Sequence, residues 1–212
     1  MAPQPGLEAM LRLAPVIPVL SIEDRAQAVP LAKALVAGGL RVLEVTLRTE
    51  AGLEAIRAIT AEVADAVVGV GTVLAPDQYE AATRAGARFA VSPGASSRLL
   101  DAARNPHVPL LPGIATPSEA MALLDRGYRF GKFFPAEPCG GVAWLAAVAA
   151  PLPGLSFCPT GGINLESAPR YLALPNVICV GGSWMVGRAA VEAGDWAAIT
   201  TAATAAARLR QV

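Results

Sequence analysis

The chain has 212 residues, and its 17 Lys and Arg balance 17 Asp and Glu. That length admits one large domain or two small ones, and zero net charge offers no basic footprint for nucleic acid. Hydrophobic residues make up 54% and charged residues 16%, which excludes charge-driven disorder and leaves enough apolar surface for a large core. Cys139, Cys158 and Cys179 are odd in number and far apart, so a reduced, cytoplasmic setting is expected rather than a disulfide framework or a zinc ribbon.

Residues 1–14 contain Pro3, Pro5, Glu8 and Arg12, which interrupt any signal-peptide core; this stretch is expected to be a helical extension. Short aliphatic and β-branched runs then recur at 16–20, 42–47, 66–70, 88–91, 108–111, 129–134, 155–158 and 177–180. They are near-continuously apolar, as strands of a parallel sheet buried on both faces are. Helical spacing fills several of the gaps. Ala26, Val29, Leu31, Ala32, Leu35 and Val36 form an apolar face that Gly38-Gly39 stops. Pro76 opens a helix that runs through Ala81 and Ala82 to Gly86, and 118–124, 142–148, 167–174 and 197–207 behave alike. Proline at the start and glycine past the end are the expected helix punctuation. Residues 138–165 carry no charge and are long enough to suggest a membrane span. However, Gly140, Gly141, Pro151, Pro153, Gly154 and Pro159 cut that stretch into helix, turn and strand. Eight strand–helix units in a row predict a (β/α)8 barrel with an extra N-terminal helix, one domain over 1–212. An open doubly wound sheet would need a glycine-rich first turn, and Ser21-Ile22-Glu23 has none.

In such a barrel, chemistry sits at the C-terminal ends of the strands. Alternation along the second strand places Glu44, Thr46 and Arg48 on one face, toward the mouth, and Leu43, Val45 and Leu47 on the other. A structural Glu44–Arg48 ion pair is the competing reading. In the sixth strand Lys132 stands between Phe130, Phe133 and Phe134. Burial disfavours the charged form of a lysine, and a neutral amine can attack a carbonyl to form a Schiff base. A snorkelling lysine or a salt bridge to Glu44 fits the same pattern. Two glycine-rich turns, Pro159-Thr160-Gly161-Gly162-Ile163-Asn164 and Gly181-Gly182-Ser183-Trp184, follow strands seven and eight. Barrels often bind phosphate there, though ordinary tight turns look the same. A third turn, Gly69-Val70-Gly71-Thr72, brings a hydroxyl near Arg48 that can hold a carboxylate. Leu74 where a dinucleotide fingerprint needs glycine, and Phe133 where a P-loop needs Ser or Thr, exclude both motifs. The single histidine, His107, reads as a surface residue, Cys158 and Cys179 read as core, and no metal site is expected.

The segments Glu44-Val45-Thr46-Leu47-Arg48-Thr49, Gly69-Val70-Gly71-Thr72-Val73, Lys132-Phe133-Phe134-Pro135-Ala136-Glu137, Cys158-Pro159-Thr160-Gly161-Gly162-Ile163 and Gly181-Gly182-Ser183-Trp184 occur in that order. Together they resemble the 2-keto-3-deoxy-6-phosphogluconate (KDPG) and 4-hydroxy-2-oxoglutarate (KHG) aldolase family of the Entner–Doudoroff pathway. The resemblance implies a cytoplasmic, homotrimeric, metal-free class I aldolase without cofactor, acting on a small keto-acid phosphate and on neither membranes nor nucleic acid. It implies Lys132 as the Schiff-base lysine and Glu44 as the proton-moving carboxylate. Arg48 and Thr72 would hold the pyruvyl carboxylate, Thr160 would lie near the substrate hydroxyls, and Phe134 would form an apolar wall. Gly161, Gly162 and Ser183, with Gly182 beside them, would form the phosphate site. Some family members carry an arginine near strand one for the phosphate; Ile17-Pro18 stands there in this chain, leaving backbone amides and Ser183. A 2-dehydro-3-deoxy-6-phosphogalactonate aldolase and a metal-free phosphosugar isomerase or binding barrel are the alternatives.

Overall fold

The computed structural model describes residues 4–104 and 107–209; the outermost parts of the expected 1–212 domain, including the first three residues of the expected extension, lie outside them. The strands are β1 (Val16–Leu20), β2 (Val42–Thr46), β3 (Val67–Gly71), β4 (Phe89–Val91), β5 (Leu110–Leu111), β6 (Gly113–Ile114), β7 (Phe130–Phe133), β8 (Ser156–Pro159) and β9 (Val180–Gly182). The helices are α1 (Leu7–Leu11), α2 (Ala28–Ala37), α3 (Gly52–Glu62), α4 (Pro76–Arg84), α5 (Ser97–Ala102), α6 (Pro117–Asp125), α7 (Gly141–Ala149), α8 (Ala168–Leu172), α9 (Arg188–Ala193) and α10 (Trp196–Ala207). No helix among the described residues is long and apolar enough to cross a membrane. The charge-free stretch resolves into α7 and β8.

Local chemistry explains the boundaries. Pro76 and Pro117 open α4 and α6, and Thr116 and Glu119 close a reciprocal capping box on α6. Asp195 accepts from Ala198 N at 3.0 Å to start α10. Helices α3, α5 and α9 complete the alternation in gaps where the apolar spacing was less distinct.

All strand pairs are parallel. The sheet order is β5-β4-β3-β2-β1-β9 in one piece and β6-β7-β8 in another. The result is an α/β fold with a curled parallel sheet covered by helices. Three expectations are corrected in detail. The run at 108–111 continues past Pro112 as a second short strand; proline has no N–H to donate, so the ladder breaks there into β5 and β6. Residues 177–180 are not the last strand. Val177 N still donates to Leu174 O at 3.1 Å, and residues 177–178 meet the sheet only through an isolated bridge to β8, in which Ile178 N donates to Phe157 O at 3.0 Å; pairing with β1 starts at Val180, so β9 begins three residues further on. Consequently Gly181 and Gly182, like Gly69 and Gly71, are strand residues rather than turn residues.

Alternation sorts the strand side chains into two cores. Val16, Leu43, Val45, Ala90 and Phe157 face the helices. Ile17, Val42, Phe89, Val91, Leu111, Cys158 and Cys179 form a second cluster on the opposite, concave face. Helix α1 closes that cluster from below with Leu7 and Leu11, which are 0% and 1% exposed; the expected helical extension is therefore a five-residue helix used as a plug. Buried Gln4 precedes it. Its Nε2 donates to Leu110 O and Phe130 O, both at 2.8 Å, and its Oε1 accepts from Arg129 N at 2.8 Å and Phe130 N at 2.9 Å. One side-chain amide thus takes the place of ladder bonds between β5 and β7, which are not paired directly.

Candidate active site

Above the apolar cluster, a cavity of about 260 Å³ opens at the C-terminal ends of the strands. Its wall contains Glu44, Arg48, Thr72, Lys132, Phe134, Thr160, Gly161, Gly162, Gly182 and Ser183. Every site residue expected from the sequence therefore reaches one place. Val19, Pro93 and Ile163 also line it; as apolar residues and a proline they carry no chemical signature that spacing could pick out. Thr46 lines it too, as strand alternation required.

An ion pair lies at the inner end of the cavity. Lys132 Nζ lies 3.1 Å from Glu44 Oε1, with the two side chains 7% and 5% exposed. The Nζ also stands 5.3 Å from the centre of the Phe134 ring, within range of a cation–π contact. On the other side of the strand, Phe133 stacks on Trp144 of α7 with ring centres 4.3 Å apart, so packing behind the sheet holds the β7 backbone that carries Lys132. Of the two competing ion-pair readings, the one with Lys132 is formed. Arg48 instead directs Nε to Thr46 Oγ1 at 3.3 Å, and among the described residues no carboxylate pairs with its guanidinium.

The strand glycines make room for these side chains. A Cβ on Gly71 would lie 2.3 Å from Glu44 Oε1, and one on Gly181 would lie 2.3 Å from Thr160 Oγ1. No side chain fits either place without displacing the functional group. The next residue, Thr72, has φ +61°, a left-handed conformation that costs a non-glycine residue roughly 1–2 kcal/mol. Such strain persists where surrounding structure enforces it, typically at functional sites.

The two anion-binding candidates differ in their support. Gly161 and Gly162 both have positive φ, +105° and +82°. Their turn is held from below by Glu137, whose N donates to Gly161 O at 3.0 Å. Tyr171 OH in turn donates to Glu137 Oε1 at 2.5 Å, and burial, with that carboxylate second, pushes the phenol well above its usual pKa. The sequence assigns no role to Tyr171, nor to Glu137 beyond its place in the Lys132–Glu137 segment, because their link joins the turn after β7 to α8 across 34 residues. The second candidate, Gly182-Ser183, is set by the Trp184 ring, which would meet a Gly182 Cβ at 2.0 Å.

His107 is exposed, as expected. Cys158 and Cys179 are 3% and 0% exposed; burial, then the neighbouring Cys158, raises the Cys179 thiol pKa well above normal. Among the described residues no group of three or more His, Cys, Asp or Glu could hold a metal ion.

A curled parallel α/β sheet with a buried lysine–carboxylate pair at its mouth and glycine turns around it defines a class shared with known proteins. The family model described as KDPG and KHG aldolase matches residues 7–202, and the chain belongs to that family. A 2-dehydro-3-deoxy-phosphogluconate aldolase of Pseudoalteromonas atlantica is 56% identical over 186 residues, 88% of this chain and 86% of its own. The KHG/KDPG aldolase of Escherichia coli is 54% identical over 193 residues, 91% of each chain. Among solved structures, KDPG aldolase from Legionella pneumophila, with pyruvate captured at low pH as a covalent carbinolamine intermediate, superimposes with a TM-score of 0.92 at 44% identity, covering 98% of both chains. The Zymomonas mobilis KDPG aldolase with 3-phosphoglycerate gives 0.90 at 48% identity, covering 97% of both.

Proposed function

We propose that the protein is a class I aldolase that cleaves 2-dehydro-3-deoxy-6-phosphogluconate to pyruvate and D-glyceraldehyde 3-phosphate through a Schiff base on Lys132, with side activity on 4-hydroxy-2-oxoglutarate. The observation that carries this reading is the buried Lys132–Glu44 pair at 3.1 Å lining a cavity. It is supported by family membership and by relatives bearing that activity in their names.

The steps follow from the geometry. Glu44 is the nearest acceptor for the ammonium proton, so Lys132 can become a neutral nucleophile without exposing a charge to an apolar site. Its nitrogen adds to C2 of the keto acid, giving a carbinolamine; Glu44 returns its proton to the departing hydroxyl, which leaves as water, and a protonated imine remains. The C4 hydroxyl then gives up its proton to the Glu44 carboxylate, directly or through a water, while the C3–C4 bond breaks. The bond's electron pair moves into an enamine, and the imine nitrogen is neutralised as glyceraldehyde 3-phosphate leaves. Glu44, carrying a proton, delivers it to C3. Water hydrolyses the restored imine, freeing pyruvate and Lys132. One carboxylate can act as base and acid because the transfers are successive. Arg48 and Thr72 hold the pyruvyl carboxylate, Thr160 meets the hydroxyls, Phe134 walls the chain, and Gly161, Gly162, Gly182 and Ser183 receive the phosphate.

The two sheets are read as one closed (β/α)8 barrel in a single domain. The parallel bridges Phe157–Val177 and Thr160–Gly181 support this by joining the β8 edge to the β9 side. A cytoplasmic homotrimer is carried from the family resemblance; sedimentation of the purified protein tests the assembly. Borohydride reduction in the presence of pyruvate, followed by intact mass and peptide mapping, tests the chemistry. The expected result is one pyruvyl adduct on Lys132, together with release of pyruvate from the phosphogluconate-derived keto acid. A folded protein that traps nothing overturns the aldolase reading in favour of an isomerase or a binding protein.

A further inference from the structure

We infer that Thr46 is the positioning residue for Arg48, holding the guanidinium ready for the carboxylate of the keto acid; the inference rests on the function proposed above. Thr46 is 1% exposed, and its hydroxyl is fully committed. Oγ1 donates to Leu20 O at 2.9 Å. Its single hydrogen is thereby used, so the contact with Ser21 Oγ at 3.2 Å must run from Ser21 to Thr46. The remaining lone pair accepts from Arg48 Nε at 3.3 Å. One hydroxyl therefore joins the end of β1, the loop that follows it and the arginine two residues past the end of β2. Thr49, on the other side of Arg48, ties the same loop by donating to Ile22 O at 2.6 Å.

A buried methyl-and-hydroxyl side chain at this position needs an explanation beyond packing, since valine would fill the same volume without requiring partners. The arginine supplies one. An exposed arginine loses considerable rotamer freedom when it grips a ligand. Fixing Nε beforehand removes part of that loss from the binding step and leaves both Nη groups to meet two carboxylate oxygens. Alternation alone put Thr46 on the mouth face; its role emerges only from the hydrogen bonds.

The test is a double-mutant cycle read with two probes. Borohydride trapping is titrated with pyruvate and with methyl pyruvate, which lacks the carboxylate charge. Thr46→Val is expected to raise half-saturation by pyruvate about tenfold, as loss of a hydrogen bond to a charged group does. Methyl pyruvate should move by less than about twofold, because without a carboxylate it cannot form the bidentate ion pair that a fixed guanidinium serves. Thr46→Ser should restore the wild-type value. In an Arg48→Ala background, Thr46→Val should change nothing further. If Thr46→Val does not fold, Thr46→Cys, a weak acceptor of similar size, takes its place. Equal losses for both probes, or additive losses in the cycle, mean a merely structural threonine and overturn the inference alone. A folded wild-type protein that traps neither probe overturns the proposed function and this inference together.

Discussion

The two ends of the concave face of the sheet obey different rules, although the same strands build both. Along β2 that face runs Val42, Glu44, Thr46: apolar at the floor, then charged and hydroxylic at the mouth. The floor is ordinary protein interior, with Ile17, Phe89, Val91 and Leu111 packed over the α1 plug. Buried among it, Gln4 has all its hydrogen-bonding capacity engaged in four hydrogen bonds. The mouth buries an ion pair, holds Thr72 in a left-handed conformation and keeps strand glycines where side chains would otherwise pack. Burying an ion pair is at best weakly stabilising, because desolvation offsets attraction. The comparison therefore teaches that the floor supplies stability and the mouth consumes some of it for geometry.

The largest expected effect separates the two ends most sharply. Lys132→Ala should lower turnover by roughly a thousandfold or more, since the covalent route is lost. It should also destabilise the protein by about 3–5 kcal/mol, because Glu44 is left buried and unpaired. Steady-state kinetics and urea unfolding measure the two effects. Replacing both residues by apolar ones of similar volume should recover most of the stability and none of the activity. If the double replacement is as unstable as the single one, the mouth is not the strained region described here.

At the floor the signs reverse. Gln4→Ala strands two carbonyls and two N–H groups between β5 and β7, and should cost about 2–4 kcal/mol, with kcat/KM unchanged in the remaining folded protein. A loss of kcat/KM at temperatures where the variant is folded would show that the floor and the mouth are mechanically coupled. A smaller effect is expected at Thr72→Gly. Glycine adopts the positive φ without the strain threonine bears, so stability should rise by roughly 1 kcal/mol over the threonine protein, while loss of the hydroxyl weakens pyruvate binding. A thermal melt beside a pyruvate titration reads both. The smallest effect concerns accessibility rather than energy. A thiol-alkylating reagent should label the partly exposed Cys139 in the native protein, and label Cys158 and Cys179 only after unfolding, since both are buried and Cys179 is held in its unreactive thiol form. Native labelling of Cys179 would mean that the floor opens.

What the chain order decided by itself was the architecture and the roster of the mouth. Apolar runs of strand length alternate with helical faces and glycine or proline punctuation, and these patterns depend only on periods of 2 and 3.6 residues. For the same reason Glu44, Thr46 and Arg48 could be placed on one face, and Lys132 marked as an anomalous cation among phenylalanines. Sequence patterns stop at whatever depends on which strands become neighbours. Whether Glu44 pairs with Arg48 or with Lys132 was open, because the second contact spans 88 residues and exists only once the sheet curls. The start of β9 reads three residues early from sequence because Val177 and Ile178 are as β-prone as Val180; in the fold Val177 makes only an isolated bridge to Phe157, and pairing with β1 begins at Val180. Gln4, Glu137 and Tyr171 were invisible because a polar residue's value lies in a partner far along the chain. Local composition determines what each segment can be; the tertiary structure decides which buried polar groups meet, because a hydrogen bond in a water-poor interior is made or lost over a few tenths of an ångström.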